Sequence, residues 1–320
     1  MPTILIALGA NLGDRGAVLS KAVEQLAADP DFALEAESEL FVTQPVGGPS
    51  GQPDYLNSAA KFSTALTPKQ VHQKLIEVEQ THGRVRGQRW GARKLDLDLL
   101  LYDQQTTRTS QLTIPHPRMS FRRFVMQPAA QVAAEMLHPE LGVTIGQLWK
   151  HLSSASPVVE IAALPGPAVN ELLDTAAKEL SDRKFSFASD LATLPNSRSE
   201  LGTLLRNLCE HQAARRSLPP DTCVRVLPWW FGISDIISPA QPSDREDIPA
   251  ARLTVYWNRP ASTYGTIEDA WWSPQEREDL QSNLAEAVQA RVHAPRLWLE
   301  GNDISSAVTE LTAAIEAIVD

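Results

Sequence analysis

Residues 83–101 read GRVRGQRWGARKLDLDLLL. The stretch opens with a cluster of cations, Arg84, Arg86, Arg89, Arg93 and Lys94, with Gly87, Trp90 and Gly91 set among them. It closes in Leu95-Asp96-Leu97-Asp98-Leu99-Leu100-Leu101, which reads as a buried strand. Successive strand residues point to opposite faces, so Asp96 and Asp98 project from the same one. Neighbouring carboxylates repel each other, and burial makes the repulsion worse. A divalent cation resolves the conflict. Paired carboxylates behind a basic, Gly-rich loop suit Mg²⁺ and the phosphates of a nucleotide. The alternative is a solvated edge strand beside a surface loop.

Outward from that stretch, the first half of the chain predicts an alternation of strands and helices. Thr3–Leu8 is a strand, and Gly9-Ala10-Asn11-Leu12-Gly13-Asp14 is a turn that leads into an amphipathic helix from about Arg15 to Ala28. That turn lacks the dinucleotide and Walker patterns, so it reads as a tight strand-to-helix connection. Phe32–Thr43 reads as one long strand, QPVGGPSGQP at 44–53 as a Pro/Gly loop, and Tyr55–Leu66 as a further strand. Pro68 opens a helix that runs to His82, proline being favoured in a first helical turn. After the Asp96–Leu101 strand come an extended turn at Ile114-Pro115-His116-Pro117 and a helix from Ser120 to about Ala134, expected to break near Pro128. A short helix at Thr144–Leu152 follows. The order β-α-β-β-α-β is that of an α+β, ferredoxin-like domain.

Ser153-Ser154-Ala155-Ser156-Pro157 reads as a linker, which divides the chain into domains at 1–152 and 158–320. Beyond it, strands are expected at Val158–Ala163, Lys184–Ala188, Thr222–Leu227, Leu253–Trp257 and Arg296–Leu299. Helices are expected at about 168–180, 199–215, 275–291 and 304–319. This alternation favours an α/β, doubly wound parallel sheet.

Composition narrows the function classes. With 320 residues, 43% apolar and 21% charged, the chain has the make-up of a soluble two-domain protein. No apolar run approaches the ~20 residues a membrane span needs, and the N-terminus does not read as a secretory signal. Cys209 and Cys223 form neither a disulfide framework nor a metal site, which suits a reducing cytoplasm. The net charge of −10 is uneven: residues 1–152 hold 15 Lys and Arg against 15 Asp and Glu, and the remainder 14 against 24. An acidic second half and a neutral first half argue against nucleic acid as a partner.

The first half also resembles the 6-hydroxymethyl-7,8-dihydropterin pyrophosphokinases of folate synthesis. The pieces that carry the resemblance are GANLGD at 9–14, PVGGPSGQPDYLN at 45–57, VEQTHGRVR at 78–86, RWGARKLDLDLLLY at 89–102 and IPHPRM at 114–119. The resemblance implies transfer of the β,γ-pyrophosphoryl group of ATP to a pterin hydroxymethyl oxygen, with AMP as the other product. By the same resemblance Asp96 and Asp98 would hold two Mg²⁺ ions, and Arg84 and Arg93 would stabilise charge on the transferred group. Glu79, Arg86, Trp90 and His116 match nucleotide-contacting positions. Thr43, Val46, Tyr55, Asn57, Arg122 and Phe124 match the positions that hold the pterin or its phosphate. Pro117 stands where some family members carry an aromatic residue, which puts one adenosine contact in question.

The second half carries a fainter resemblance, to a degenerate P-loop nucleoside or nucleotide kinase. It rests on the strand at Val158–Ala163 with the turn Leu164-Pro165-Gly166-Pro167 behind it, and on Arg296–Leu299, Gly301-Asn302-Asp303 and the last helix. The Gly-Lys-Ser/Thr of a Walker motif is missing: Ala168, Val169 and Asn170 follow the turn. The expected role is then structural or regulatory, through packing on the first domain or self-association. The competing readings are a two-kinase fusion, a nucleic-acid binder built on GRVRGQRWGARK, and a non-catalytic interaction protein.

Overall fold

The computed structural model describes residues 1–49, 51–83, 91–162, 167–181, 186–189, 223–228, 251–258, 282, 295–300 and 303–319. Within them the chain divides into two compact units, the first made essentially of Met1–Ser154 and the second of Ala155–Ile315.

The first unit is built on an antiparallel sheet. Its elements are β1 (Thr3–Ala10), α1 (Arg15–Ala27), β2 (Phe32–Glu37), β3 (Phe41–Thr43), β4 (Tyr55–Thr64), α2 (Pro68–Thr81) and β5 (Asp96–Tyr102). The strand order is β2-β4-β1-β5, with β3 also paired to β4. This is the split βαβ arrangement expected from the element order. The long strand expected at 32–43 is two strands, because β2 and β3 pair with different parts of β4.

Helix ends follow their caps. The Asp14 carboxylate accepts from Ala17 N at 3.1 Å and starts α1. Before α2, the Gln70 side chain accepts from Thr67 N at 2.9 Å.

Two apolar clusters lie on opposite faces of this sheet, because alternate strand residues feed one or the other. Ile4, Ile6 and Leu8 of β1 and Leu97 and Leu99 of β5 join the residues of α1 and α2. Leu5, Ala59 and Leu101 join α3 (Arg123–Ala133) and α4 (Ile145–Ser154) on the other face. Leu97 and Leu99 are therefore directed away from the face that carries Asp96 and Asp98. The β1–β5 register shifts between Leu5 and Ile6, which face Leu101 and Leu99, leaving Leu100 as a bulge.

Two short hairpins complete this unit, β6 (Thr107–Arg108) with β7 (Thr113–Ile114) and β8 (Leu137–His138) with β9 (Val143–Thr144). The helix α3 begins after a single 3₁₀ turn at Met119–Phe121 and continues through Pro128 without the expected break. Pro128 is itself buried among the residues of that helix. The expected linker at 153–157 is also occupied. The Ser153 and Ser154 hydroxyls bond back to the carbonyl of Lys150 at 3.0 and 2.6 Å and extend α4 through Ser154. Only Ala155 separates α4 from the next strand, β10 (Ser156–Ala162).

The second unit contains a parallel sheet of β10, β11 (Ser186–Ser189), β12 (Cys223–Pro228), β13 (Ala251–Asn258) and β14 (Arg296–Glu300), in the order β11-β12-β10-β13-β14. All four pairings are parallel, and the five strands fall where the apolar runs predict them. The helices α5 (Pro167–Ser181) and α6 (Ile304–Val319) match two of the four expected. The expected helix at 199–215, that at 275–291 apart from residue 282, the turn at 163–166, Cys209 and Gly301-Asn302 lie outside the described residues. Consecutive residues of β13 from Leu253 to Trp257 are buried, as a parallel strand covered on both faces requires.

Candidate active site

On the sheet face of the first unit that carries the two aspartates lies a cleft of about 230 Å³. Its lining includes Gly9 of β1, Thr43 of β3, Tyr55 and Asn57 of β4, and Asp96 and Asp98 of β5. Gln44, Val46 and Gln52 enter from the loop after β3, Arg93 from the segment before β5, His116 and Arg118 from the segment before α3, and Arg122 and Phe124 from the start of α3. Ten of the residues expected from the sequence are thus brought together: Thr43, Val46, Tyr55, Asn57, Arg93, Asp96, Asp98, His116, Arg122 and Phe124. Arg84, Arg86 and Trp90 lie outside the described residues.

The carboxylates have different partners. Asp96 Oδ1 accepts from Arg93 Nη1 at 2.6 Å, a short charge-assisted contact between neighbours three residues apart. Asp98 Oδ2 lies 3.9 Å from His116 Nε2. Burial holds the His116 imidazole down to about 4; Asp98 opposes that shift, and Arg122 and Arg118 add to it. The ring is therefore neutral at pH 7, and its contact with Asp98 is not an ion pair. The bulge at Leu100 places this histidine: its carbonyl accepts the His116 backbone N–H at 2.9 Å. His116 follows the cis peptide Ile114–Pro115 by one residue.

The opposite wall is aromatic and amide. Asn57 Nδ2 donates to Thr43 Oγ1 at 2.8 Å, which fixes the orientation of that carboxamide. Gly9 leaves room for it, since a Cβ there would meet Asn57 Oδ1 at 3.1 Å. Tyr55 Oη donates to Gly91 O at 3.3 Å, and burial raises its phenol. The Arg122 guanidinium carbon lies 5.6 Å from the centre of the Phe124 ring.

Glu79, expected from the resemblance to contact nucleotide, does not line this cleft. It sits near the end of α2, 2% exposed, and accepts the Leu97 N–H at 2.8 Å. Among the described residues β5 pairs with β1 alone, so alternate amides of β5 point away from the sheet, and the buried carboxylate satisfies one of them. Conversely, Arg118, Gln44 and Gln52 line the cleft without having been singled out. Arg118 belongs to the quoted IPHPRM, where its charge was the available signal. Gln44 and Gln52 belong to the segment read as a Pro/Gly loop, and Gln52 also to the quoted PVGGPSGQPDYLN.

The residues present suit Mg²⁺ by the chemistry of their donors. Asp96 and Asp98 supply hard carboxylate oxygens from one strand face, and among the described residues no group of three or more metal-ligating side chains surrounds them. Mg²⁺ is commonly held by one or two carboxylates, with water and substrate phosphates taking the remaining positions.

Comparison with known proteins accords with this arrangement. The family model described as 7,8-dihydro-6-hydroxymethylpterin-pyrophosphokinase matches residues 5–134. The protein named 2-amino-4-hydroxy-6-hydroxymethyldihydropteridine pyrophosphokinase from Haemophilus influenzae is 39% identical over 139 residues, covering 43% of this chain and 86% of the relative. The chain belongs to the 7,8-dihydro-6-hydroxymethylpterin-pyrophosphokinase family. Relatives of the same name from Synechocystis and Pseudomonas aeruginosa are 38% and 36% identical. They cover 45% and 51% of this chain and 73% and 97% of their own lengths. The pyrophosphokinase family model ends at residue 134, so the whole second unit lies beyond it.

Proposed function

We propose that the cleft of the first unit transfers the β,γ-pyrophosphoryl group of ATP to the hydroxymethyl oxygen of 6-hydroxymethyl-7,8-dihydropterin. The reaction releases AMP and serves folate synthesis. The supporting observation is the convergence in one cleft of a same-face carboxylate pair, three guanidinium groups and an aromatic–amide wall.

In this reading Tyr55 and Phe124 flank the flat pterin and Asn57 meets its polar edge, while Thr43 holds the Asn57 amide. Val46 and the backbone at Thr43 complete the pterin side. The hydroxymethyl oxygen attacks the β-phosphorus, and the bond from that phosphorus to the α-phosphate oxygen breaks. Such transfers rest on positioning and charge neutralisation, not on a covalent nucleophile. Asp96 and Asp98 would hold two Mg²⁺ ions, which supply neutralisation of the triphosphate. Arg93 and Arg84 stabilise charge on the group in transit, for which the planar guanidinium is suited. Arg122 and Arg118 extend the cationic side of the cleft, and neutral His116, Arg86 and Trp90 contact the nucleotide. The role of Glu79 is to hold β5.

For the second unit we infer a structural role, in packing or self-association. Its all-parallel sheet accords with a doubly wound, degenerate P-loop-like domain. The Leu164-Pro165-Gly166-Pro167 sequence removes two backbone donors and carries no lysine. Among the described residues no helix is long and apolar enough to cross a membrane. We place the enzyme in the cytoplasm, with small molecules as its substrates and no nucleic acid.

The deciding assay mixes the full-length protein with ATP, Mg²⁺ and 6-hydroxymethyl-7,8-dihydropterin and follows AMP and the pterin diphosphate. Stoichiometric formation of both is expected. ADP in place of AMP, or no turnover, overturns the reading.

A further inference from the structure

The backbone that carries Arg93 is held from the pterin-facing side of the cleft. Asn11, 2% exposed in the turn after β1, takes both backbone polar groups of Arg93. Its Oδ1 accepts the Arg93 N–H at 2.7 Å, and its own N–H donates to the Arg93 carbonyl at 3.0 Å. The Asn11 Nδ2 donates to Pro53 O at 3.3 Å and to Gln52 Oε1 at 3.4 Å. One buried carboxamide therefore joins Arg93 to the loop that ends at Tyr55. A second link runs in parallel, from the Tyr55 hydroxyl to the carbonyl of Gly91, two residues before Arg93.

Neither link is explained by pterin stacking, which needs only the Tyr55 ring. Nor does the β1–β5 ladder account for Asn11: that ladder pairs Gly9 with Asp96, and Asn11 meets Arg93 one residue out of its register. The carboxamide uses its donor and acceptor in opposite directions, towards two segments 41 and 82 residues away.

We propose that the Tyr55 hydroxyl and the Asn11 carboxamide are positioning groups that couple the pterin wall to the placement of Arg93. This rests on the reading of the cleft given above. A pterin seated against Tyr55 restrains that ring, and the phenol hydroxyl passes the restraint to Gly91–Arg93. The Arg93 guanidinium, bonded to Asp96 Oδ1 at 2.6 Å, is then held where charge develops. Small displacements of such a group are costly, a shift of about 1 Å being worth about a hundredfold in rate.

The test is a mutant cycle on the full-length enzyme with Tyr55→Phe, which keeps the ring, and Arg93→Ala. Pterin affinity without nucleotide, read by pterin fluorescence, is expected within about twofold of wild type for Tyr55→Phe. Its kcat is expected to fall about fivefold, the scale of one neutral hydrogen bond. In the Arg93→Ala background the same substitution is expected to change kcat by less than about 1.5-fold, because the group it positions is gone. Asn11→Ala is expected to lower kcat and raise the pterin KM together, since it severs both directions. If Asn11→Ala does not fold, the Tyr55→Phe cycle decides alone. An unchanged kcat for Tyr55→Phe, or an equal loss in both backgrounds, overturns the coupling while wild-type AMP production still upholds the reaction. Wild-type protein that makes no AMP overturns both.

Discussion

The strand β5 lies at the end of its sheet order and β13 inside its own, and the two are written differently. In β5, Asp96 and Asp98 alternate with Leu97 and Leu99, so one face feeds an apolar cluster and the other opens on a polar cleft. In β13, every residue from Leu253 to Trp257 is buried. An antiparallel sheet can leave part of a face for ligands, whereas a parallel sheet covered on both faces is confined to the ends of its strands. After β10 the sequence offers Pro165 and Pro167 and no lysine before Lys178. The contrast teaches that in the first unit polar groups reach the cleft by interrupting an apolar pattern on a partly open face, whereas β13 keeps its apolar run unbroken save for the buried Thr254 and is stabilised by burial.

That contrast fails most visibly at Asp98. Asp98→Ala is expected to lower turnover at saturating Mg²⁺ by about a hundredfold or more, the scale of losing one transition-state contact. The fold should survive, because the side chain is 41% exposed and its removal relieves carboxylate repulsion. Retention of more than about a tenth of wild-type AMP production would contradict the metal assignment.

Arg93→Ala is expected to reduce kcat by about a hundredfold and to change the KM for ATP by less than about threefold, as for an interaction made in the transition state. A raised KM with kcat preserved would make Arg93 a ground-state nucleotide contact instead.

Glu79→Leu leaves the Leu97 N–H without its buried acceptor and is expected to destabilise the protein by about 1–3 kcal/mol. Glu79→Gln keeps an acceptor and should cost less. Urea denaturation checks both. Unchanged stability accompanied by a raised KM for ATP would return Glu79 to the nucleotide.

The smallest expected effect belongs to the second unit. Calorimetric titration of the full-length protein with a non-hydrolysable ATP analogue and Mg²⁺ should give one equivalent per chain, with nothing added by residues 158–320. A second equivalent that survives Asp98→Ala would show that the parallel sheet still binds nucleotide and would turn the chain into a two-kinase fusion.

Much of this architecture was legible without coordinates. The apolar runs located β1, β4, β5 and the five strands of the parallel sheet, because burial on one or both faces leaves a local, periodic mark. The same alternation put Asp96 and Asp98 on one face before any site was visible. Local pattern was silent where the partner is distant. The burial of Glu79 depends on which edge of β5 is covered by α2, and the saturation of Asn11 depends on two segments meeting beside the turn after β1. The serines at 153 and 154 read as a linker because serine favours loops, but their hydroxyls bond back to Lys150 and extend a helix anchored by Leu148 and Leu152. The sequence by itself determined most strands of the two large sheets and which face of β5 carries charge, because both follow from periodicity along the chain. Only the tertiary structure decided which polar groups hold the backbone at Arg93 and Leu97, because those hydrogen bonds join residues that no local pattern connects.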